Sequence, residues 1–499
     1  MKRIIHWFRR DLRITDNTAL SASVDEAAEV VPVYILSDWK NHHAWTGAPR
    51  QQFLCDSLAS LSKNLGSIGG KLIIRQGDAA AELLRLAHET KAEAIFSNRD
   101  PDPFGRATEE LLAIKAREQG IQVKFFPDAC LHERNDVLTQ AGTPFRIFTP
   151  YARAWFRLPK HSPGRMLAKI KTPVDLDSKP LPTLVHWGLK NSETTFSPLL
   201  EPRYDFPAGE KAAQHRLKKF MSDSLFNYGV ARDLMALEGT SRLSQDLRWG
   251  LLSPRQVYAM AIKSRENASL DERQHLQKFI TELVWREFAM QLLWHYPEVL
   301  HQEFNPTWRG MIWPGLKNQP DALKRWKEGQ TGFPIVDAAM RQLAVTGWMH
   351  GRSRMIVAMF LTKDLHIDWR EGERFFMQSL VDGEIASNNM GWQWSAGTGA
   401  DAAPYFRIQN PWTQTARYDP DGIYIKRWVP ELSHLSPKLF CKPPSLGTSL
   451  AKNYPAPIVD HAEERNRTLD FFEEKKQEKA KTALTLYVEK VRSLHDVRI

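Results

Sequence analysis

The chain has 499 residues, more than one typical core accommodates, which predicts two or three domains. Its composition, 42% hydrophobic and 25% charged, is typical of a globular protein. The sequence shows neither an apolar run of about 18 residues nor a signal-like start, so we predict neither a membrane span nor secretion. The 68 Lys and Arg exceed the 58 Asp and Glu, which favours a polyanionic partner such as nucleic acid. Three widely spaced cysteines argue against disulfides or a zinc site and for a reducing, cytoplasmic setting.

Short apolar runs alternate with helical periods over the first part of the chain. The runs cover residues 4–8, 30–36, 71–75, 94–97 and 123–126, and helical periods lie between them, for example at 51–65 and 80–91. Strands that alternate with helices predict a parallel sheet covered on both faces. We therefore predict a Rossmann-like α/β domain over residues 1–130, although no GxGxxG motif follows the first strand.

The rest of the chain has a different character. Residues 131–207 are rich in Pro, Lys and Ser without a sustained period, which predicts a connector between domains. After residue 207 helical periods dominate, so residues 208–499 are predicted to form a helical domain. The charged segment 463–490 is predicted to be a solvated terminal helix.

The densest group of polar and aromatic residues is DGEIASNNMGWQW, at positions 382–394. In a helix, Trp392 and Trp394 project about 200° apart around the axis. One indole can therefore face a buried cofactor while the other lines an open cavity, although a pair of core tryptophans would have the same spacing.

This run occurs with TGWMHGRSRM at 346–355, LHIDWREGERFF at 365–376 and DAAPYFRIQNP at 401–411. Together they closely resemble the flavin-binding half of the photolyase/cryptochrome family, and HWFRRDLRITDNTAL at 6–20 resembles that family's opening signature. The resemblance implies an antenna-binding α/β domain followed by a large all-α FAD-binding domain. Within the family the chain is most similar to class I cyclobutane pyrimidine dimer (CPD) photolyases.

The resemblance implies a site for FAD, which is active in its reduced form. The run GTSRLS at 239–244 offers hydroxyls beside a helix start, a combination that can hold a phosphate. Glu384 stands where an Asp is more usual, and Asn388 matches the residue beside the reactive ring nitrogen. The matching FAD residues are Tyr228, Thr240, Ser241, Arg242, Leu243, Ser244, Phe279, Arg354, Asp382, Gly383, Glu384 and Asn388.

The resemblance also implies that the protein is a deoxyribodipyrimidine photo-lyase acting on ultraviolet-damaged DNA. A dimer has to be flipped out of the duplex to reach a buried flavin. A neutral Glu282 in an apolar pocket would donate a hydrogen bond to it. The residues matched to catalysis are Glu282, Trp285, Met355, Asn388 and Trp394, and those matched to DNA binding are Arg232, Glu282, Trp285, Arg286, Gly351, Arg352 and Gln414.

An electron-transfer chain and an antenna chromophore complete the implied functions. Trp392 and Trp369 match the inner members of the family's tryptophan chain; its outer member would fall at Leu316, so Trp313 is predicted instead, with Trp308 a poorer candidate. GAPRQQFL at 47–54 and SNRDPDPFGR at 97–106 resemble an 8-hydroxy-5-deazaflavin pocket, with Arg50, Asp100 and Arg248 as its residues. This type is predicted over methenyltetrahydrofolate or FMN, with an empty pocket as the alternative.

Three other functions compete with dimer repair. A plain nucleotide-binding protein leaves the helical half without a role. A (6-4) photolyase would need a His pair where the chain has only His350, and a blue-light photoreceptor cryptochrome commonly loses the Glu and Trp of the lesion pocket, which are present here. Gly351 replaces an Asn often found in this motif. No metal is expected, and the protein is predicted to be a nucleoid-associated cytoplasmic monomer without an obligate protein partner or membrane contact.

Overall fold

The computed structural model describes residues 1–37, 43–189, 206–266, 268–317 and 319–496, with side chains up to residue 481. Part of the predicted connector, residues 190–205, therefore lies outside the described residues. The chain forms two compact units, each built from three segments. The first unit comprises Met1–Pro297, Gln342–Met349 and Arg374–Asn388, and the second comprises Glu298–Arg341, His350–Glu373 and Asn389–Ile499.

Five parallel strands form the sheet of the first unit, in the order β3-β2-β1-β4-β5. The strands are β1 (Arg3–Phe8), β2 (Glu29–Leu36), β3 (Ile73–Gln76), β4 (Ala94–Asn98) and β5 (Gln122–Phe126). Ile5 of β1 pairs with Val31 on one side and Ile95 on the other, and all three are fully buried. Burial on both faces explains the continuous apolar runs. The predicted parallel α/β fold is confirmed.

Four helices connect and cover the strands: α1 (Thr18–Glu26), α2 (Ala48–Ser67), α3 (Ala79–Thr90) and α4 (Pro103–Glu118). Asn17, Asp78 and Asp102 begin three of them, and each side chain accepts a backbone N–H of the first turn. The order of the strands reverses between β1 and β4. In open α/β sheets the carboxyl ends of the strands at such a point form a crevice that binds ligands.

The remainder of the first unit is helical. It contains α5 (Phe148–Arg157), α6 (Glu210–Asp223), α7 (Tyr228–Ala231), α8 (Ser244–Arg248), α9 (Pro254–Ser264) and α10 (Leu270–His295), with 3₁₀ turns at Leu184–Trp187 and Leu225–Asn227. The longest of these, α10, begins with a reciprocal capping box between Ser269 and Glu272. It carries Phe279, Glu282 and Trp285.

The helical character continues through the second unit, and no described residue after β5 forms a strand of the sheet. The helices from here on are α11 (Ala322–Lys327), α12 (Pro334–Thr346), α13 (Gly351–Met359), α14 (Trp369–Ser379), α15 (Ile385–Ala396), α16 (Pro411–Tyr418), α17 (Ile423–Trp428) and α18 (His461–Asp496), with a π-helical turn at Phe360–Asp364 and 3₁₀ turns at Pro297–Leu300, Pro306–Trp308, Pro430–Leu432 and Pro437–Cys441. Three of these helices, α12, α14 and α15, contribute residues to both units.

The predicted terminal helix is present as α18, but its first part is not simply solvated. Phe472 is fully buried and packs edge-on against Trp308. The Thr468 hydroxyl donates to the Lys363 carbonyl, and His366 pairs with Glu464 over 2.6 Å. The high charge of the segment concealed this one apolar position and its polar anchors. No described helix is long and apolar enough to cross a membrane.

Candidate functional site

The predicted phosphate loop at 239–244 is a strained turn rather than a regular helix start. Arg242 adopts a left-handed backbone conformation with φ of 48°, which is uncommon for a residue other than glycine and often marks a functional turn. The hydroxyls of Thr240, Ser241 and Ser244 have no hydrogen-bond partner among the described residues, and the buried Nε of Arg242 has none either. The loop therefore presents unengaged donors, as a site for phosphate groups requires.

Buried aromatic and acidic groups accompany this loop in the first unit. Tyr228 and Phe279 pack edge to face with ring centroids 5.5 Å apart. Arg248 of α8 donates through Nε to the carbonyl of Gly383 over 3.0 Å, which links the loop's own helix to the segment 382–388. All the residues matched to FAD except one belong to the first unit. Arg354, the remaining one, belongs to the second unit.

Glu384 is held as a buried carboxylate. Arg10 donates to its Oε2, while Oε1 is buried and has no hydrogen-bond partner among the described residues. Burial by itself would raise the pKa of Glu384, but Arg10, Arg248 and Arg286 outweigh it and lower that pKa below its ordinary value. The longer side chain, where Asp is more usual, reaches Arg10 of the α/β part of the chain.

The indole of Trp285 packs against other aromatic rings. Its indole is stacked on Phe148 of α5, with ring centroids 3.4 Å apart and planes inclined by 6°. Phe288 packs edge-on against the same indole at 6.0 Å. Because Phe148 covers one face and Trp285 is half-buried, the other face is where a base could stack. The sequence did not predict the contact with Phe148. This residue lies in TPFRIFTPYARAW, at positions 143–155, and no feature of that stretch indicates contact with a helix more than a hundred residues further along the chain.

Glu282 does not lie in the apolar pocket that the sequence led us to expect. Its side chain is 38% exposed, and its Oε1 accepts a hydrogen bond from Nη1 of Arg232. Glu282 is thus engaged by Arg232 and partly open to solvent in this structure, rather than enclosed among apolar groups.

The placement of Arg286 corrects the prediction that it contacts DNA. Its guanidinium donates to the carbonyls of Ala129 and Leu247 over 2.8 and 3.2 Å and lies 4.0 Å from Glu384. The side chain is only 15% exposed. Helical spacing had put Arg286 on the same face as Glu282, four residues before it, but a long side chain can turn inward where buried carbonyls and a carboxylate need a donor.

Other residues matched to the lesion and to DNA lie in the second unit. Met355 and Trp394 are half-buried, and Arg352 contacts the Met355 sulfur over 3.6 Å. Gly351 is exposed, with open space where a Cβ would be, so nothing in the fold requires a glycine there. Gln414 of α16 is half-buried. That these residues and Trp285 line a single cavity remains a prediction.

The tryptophans matched to electron transfer are deeply buried in the second unit. Trp369 is fully buried and Trp392 nearly so, whereas Trp394, two positions on, is half-buried. This difference confirms that α15 directs its two indoles to different environments. Trp392 packs over Gly372, where a Cβ would lie 2.0 Å from the indole Cη2. The helix therefore needs a glycine at this position.

Two further residues of this region were missed in the sequence. Trp326, fully buried, packs edge-on against Trp392 with ring centroids 6.1 Å apart. Glu303, also buried, accepts hydrogen bonds from Nη2 of Arg370 over 2.9 Å and, at 3.4 Å, from Nε1 of Trp369. A carboxylate at the indole N–H stabilises positive charge on that ring.

The outer member of the tryptophan chain is still a prediction. Trp313 is half-buried and packs against Phe471 and Phe472 of α18. Trp308 is 6% exposed and packs against Tyr405 and Phe472. An outer electron donor has to exchange charge with solvent, and on this criterion the more exposed Trp313 is the better candidate.

A cavity of about 130 Å³ lies at the carboxyl ends of β1, β2 and β4. Its lining includes all three residues matched to the antenna, namely Arg50, Asp100 and Arg248. Arg50 donates to the carbonyls of Met377 and Trp45 and contacts the Met377 sulfur over 3.9 Å, and Nη1 of Arg248 is buried without a partner among the described residues. Two buried guanidinium groups without a dedicated carboxylate favour an anionic ligand.

Family models of known proteins match both the α/β part and the helical part of the chain. Residues 4–171 match the family model described as DNA photolyase, and residues 279–474 match the model described as FAD binding domain of DNA photolyase. A deoxyribodipyrimidine photo-lyase of Agrobacterium fabrum is 40% identical over 93% of this chain and 96% of its own length.

Solved structures agree as well. A class III photolyase of Agrobacterium tumefaciens has a TM-score of 0.86 at 38% identity, covering 96% of this chain and 98% of that one. A Sulfolobus tokodaii photolyase with two FAD molecules has a TM-score of 0.80 at 30% identity, over 95% and 100%. A cryptochrome of Synechocystis has a TM-score of 0.83 at 26% identity, over 94% and 99%. The chain therefore belongs to the DNA photolyase family.

Proposed function

We propose that the protein is a light-driven DNA repair enzyme, a deoxyribodipyrimidine photo-lyase that splits cyclobutane pyrimidine dimers. The observation that carries this proposal is the surface of α10. It presents an indole supported from behind by Phe148, with a carboxyl group three residues before it. Such an indole suits the stacking of a base that has left the duplex, and a binding module without repair activity would not need it beside a flavin site.

FAD fits the residues of the first unit. The unengaged hydroxyls and the Nε of Arg242 would bind its phosphates, and the buried Tyr228 and Phe279 would pack beside it. Bound reduced FAD would supply the excited electron that opens the dimer, so no nucleophile or metal ligand is needed from the chain. The chain's own task is to exclude water, orient the dimer and place polar groups on its carbonyl oxygens.

DNA binding would use the excess of basic residues. Arg232 and Arg352 would contact phosphates of the damaged strand, which positions the lesion without reading sequence. Gly351, Gln414 and the pocket residues would contact the lesion or the strand beside it. We propose that the protein acts as a monomer in the cytoplasm, associated with the nucleoid through DNA. The class within the family stays a prediction.

The sheet cavity would hold a second chromophore. Its position at the reversal of strand order, with Arg50 and Arg248 buried in it, supports an anionic ligand of the 8-hydroxy-5-deazaflavin type. Its volume of about 130 Å³ is below the roughly 300 Å³ of ordinary ligand pockets. Trp45 and Phe104, whose rings meet edge to face, belong to the lining that the chromophore would contact.

The geometry around His350 favours dimer repair over (6-4) repair. His350 is 2% exposed, and its Nδ1 accepts the backbone N–H of Arg352 at the start of α13. A single histidine that is buried and caps a helix is less accessible to a lesion than an exposed pair of histidines would be. A signalling cryptochrome is the remaining alternative, and the stacking of Phe148 on one face of Trp285 argues against it.

Flavin content is the first experimental test of this proposal. The purified protein should be yellow, contain FAD, and bleach under blue light with an external reductant. Arg242→Ala should lower the FAD content because it removes a buried donor from the phosphate loop. Arg165→Ala, which removes an exposed arginine paired with Asp25, should leave the content unchanged. A folded, colourless protein that takes up no FAD would refute the proposed function.

A further inference from the structure

Glu303 is a buried acid that contacts a tryptophan matched to electron transfer. Its side chain is 2% exposed, and its Oε1 accepts hydrogen bonds from Nη2 of Arg370 over 2.9 Å and from Nε1 of Trp369 over 3.4 Å. Trp369 is itself fully buried. Water screens a charge only weakly in such surroundings, so the charge acts strongly on a ring beside it.

The segment that carries Glu303 is fixed by α15. Gln393 of that helix donates to the carbonyl of Val299 over 3.0 Å and accepts the backbone N–H of Phe304 over 2.8 Å. Asn389, one turn earlier, donates to the carbonyl of Val299 over 3.1 Å. Because α15 also carries the other inner tryptophan of the chain, the acid is held in a set position relative to that helix.

Arg370 has the opposite effect on the same ring. Its guanidinium carbon lies 4.6 Å from the centroid of the Trp369 ring. A cation over an indole is attracted to the neutral ring, but it repels the positive charge that the ring carries after losing an electron. Asp368 shares this guanidinium and accepts from its Nη1 over 3.1 Å. One cation and two acids therefore surround the ring, and Glu303 is the acid that contacts its N–H.

An intermediate electron donor has to hold a positive charge for a time. In the expected sequence of steps, one electron leaves Trp392 for the bound flavin, and one electron from Trp369 then refills Trp392. The outer tryptophan refills Trp369 in turn, and an external thiol reductant restores the outer residue. A positive charge that stays on Trp392 lets the electron return from the flavin, and the absorbed light is then wasted.

We propose that Glu303 is a positioning residue of photoreduction, whose negative charge offsets the nearby guanidinium and stabilises the oxidised ring of Trp369. The positive charge is thereby drawn away from Trp392. This inference rests on the proposed function. One electron moves from Trp369 to Trp392, and the carboxylate neither gives nor takes one. The indole keeps its N–H proton, hydrogen-bonded to Oε1, and no covalent bond forms or breaks.

A purely structural ion pair is the alternative. A buried acid and an arginine can fix the segment 298–305 against α14 without any effect on electron transfer. Removal of either side chain would then do the same harm, because each removal breaks the same pair. Stabilisation of charge predicts opposite effects instead, because the two side chains bring opposite charges to one ring.

The test follows the separation of charge after a short flash of blue light in the FAD-containing full chain. The readout is the fraction of separated charges that survives into the microsecond range, with Trp369→Phe as the lower reference. Glu303→Gln keeps the size of the side chain and an acceptor oxygen but removes the charge. We expect this variant to lower the surviving fraction by roughly tenfold, toward the level of Trp369→Phe.

Arg370→Gln should act in the other direction. It removes the cation over the ring, so the surviving fraction should equal or exceed that of the wild type. Combining it with Glu303→Gln removes one cation and one acid together and should recover most of the loss. Glu298→Gln is the matched control: this exposed acid of the same segment pairs with Arg309 at 3.9 Å, and its replacement should change nothing.

A second readout needs no light. In protein whose indoles carry an NMR-active nitrogen isotope, the N–H resonance of Trp369 is identified by its absence in Trp369→Phe. Glu303→Gln replaces a charged acceptor by a neutral one and should shift this resonance toward weaker hydrogen bonding. Urea unfolding of each variant reports its stability on the same samples. An unmoved resonance would mean that Glu303 does not bond to the indole and would overturn the inference.

The flash experiment has two further outcomes that would overturn it. One is a normal surviving fraction in folded Glu303→Gln, and the other is a loss in Arg370→Gln as large as that in Glu303→Gln. Arg370→Gln decides alone if Glu303→Gln does not fold, because a structural pair predicts a loss there. Dimer splitting by the chemically reduced wild type is measured alongside. If it occurs, the proposed function stands even where the role of Glu303 is refuted, and if it does not, the proposed function falls separately.

Discussion

Replacing Trp285 by alanine is expected to weaken binding of dimer-containing DNA by about 1–3 kcal/mol, because the variant loses the indole on which a flipped base would stack. This corresponds to roughly 5- to 150-fold in Kd. Binding of undamaged DNA should change little, since no base leaves the stack there. The Kd values can be measured by fluorescence anisotropy, with the FAD absorbance recorded on the same samples.

The support of the indole provides a graded control. Phe148→Ala removes the ring stacked at 3.4 Å and should cost part of the same affinity, about 0.5–1.5 kcal/mol, by leaving the indole less fixed. Phe148→Tyr keeps an aromatic ring and should retain most of it. Full dimer affinity in Trp285→Ala would mean that the lesion does not stack on this residue.

Replacing Gly372 by alanine is expected to stop photoreduction of the flavin or to slow it to the level of Trp392→Phe. The new Cβ would lie 2.0 Å from the Trp392 indole, so the ring has to leave its place over the helix. Overpacking of this kind costs about 1–3 kcal/mol of stability. Photoreduction is followed from the bleaching of FAD under blue light, and stability from urea unfolding.

Gly391 is the matched control for Gly372. It lies in α15 beside Trp392, and a Cβ there meets nothing within 4 Å. Gly391→Ala should photoreduce normally and gain about 0.5–1 kcal/mol of helix stability. Chemically reduced Gly372→Ala should still repair dimers, because repair needs only light and reduced flavin. Normal photoreduction in Gly372→Ala would place the electron path away from Trp392.

The order of the helices and strands could be predicted from the sequence because the spacing of apolar residues is a local property of the chain. Strands buried on both faces, such as Ile5 with its neighbours Val31 and Ile95, leave unbroken apolar runs. The different environments of Trp392 and Trp394 follow from helix geometry alone. Motif resemblance assigned Arg50, Asp100 and Arg248 to one pocket, and in the structure all three line the same cavity.

The partners of individual side chains could not be predicted in this way. Arg286 shares a helix face with Glu282, yet its length lets it turn to buried carbonyls that only the tertiary structure places there. The stacking of Phe148 on Trp285 joins residues far apart in the chain. The ion pair of Glu282 with Arg232 likewise depends on how α7 packs against α10.

Light-dependent repair tests the central claim most directly. The chemically reduced protein would be mixed with DNA that carries defined cyclobutane dimers, and separately with DNA that carries (6-4) products, then illuminated with blue light or kept dark. We predict loss of cyclobutane dimers in the light alone, with (6-4) products unchanged. Loss of (6-4) products alone would contradict the assigned substrate, and no repair of either by a flavin-loaded protein would contradict the enzyme assignment itself.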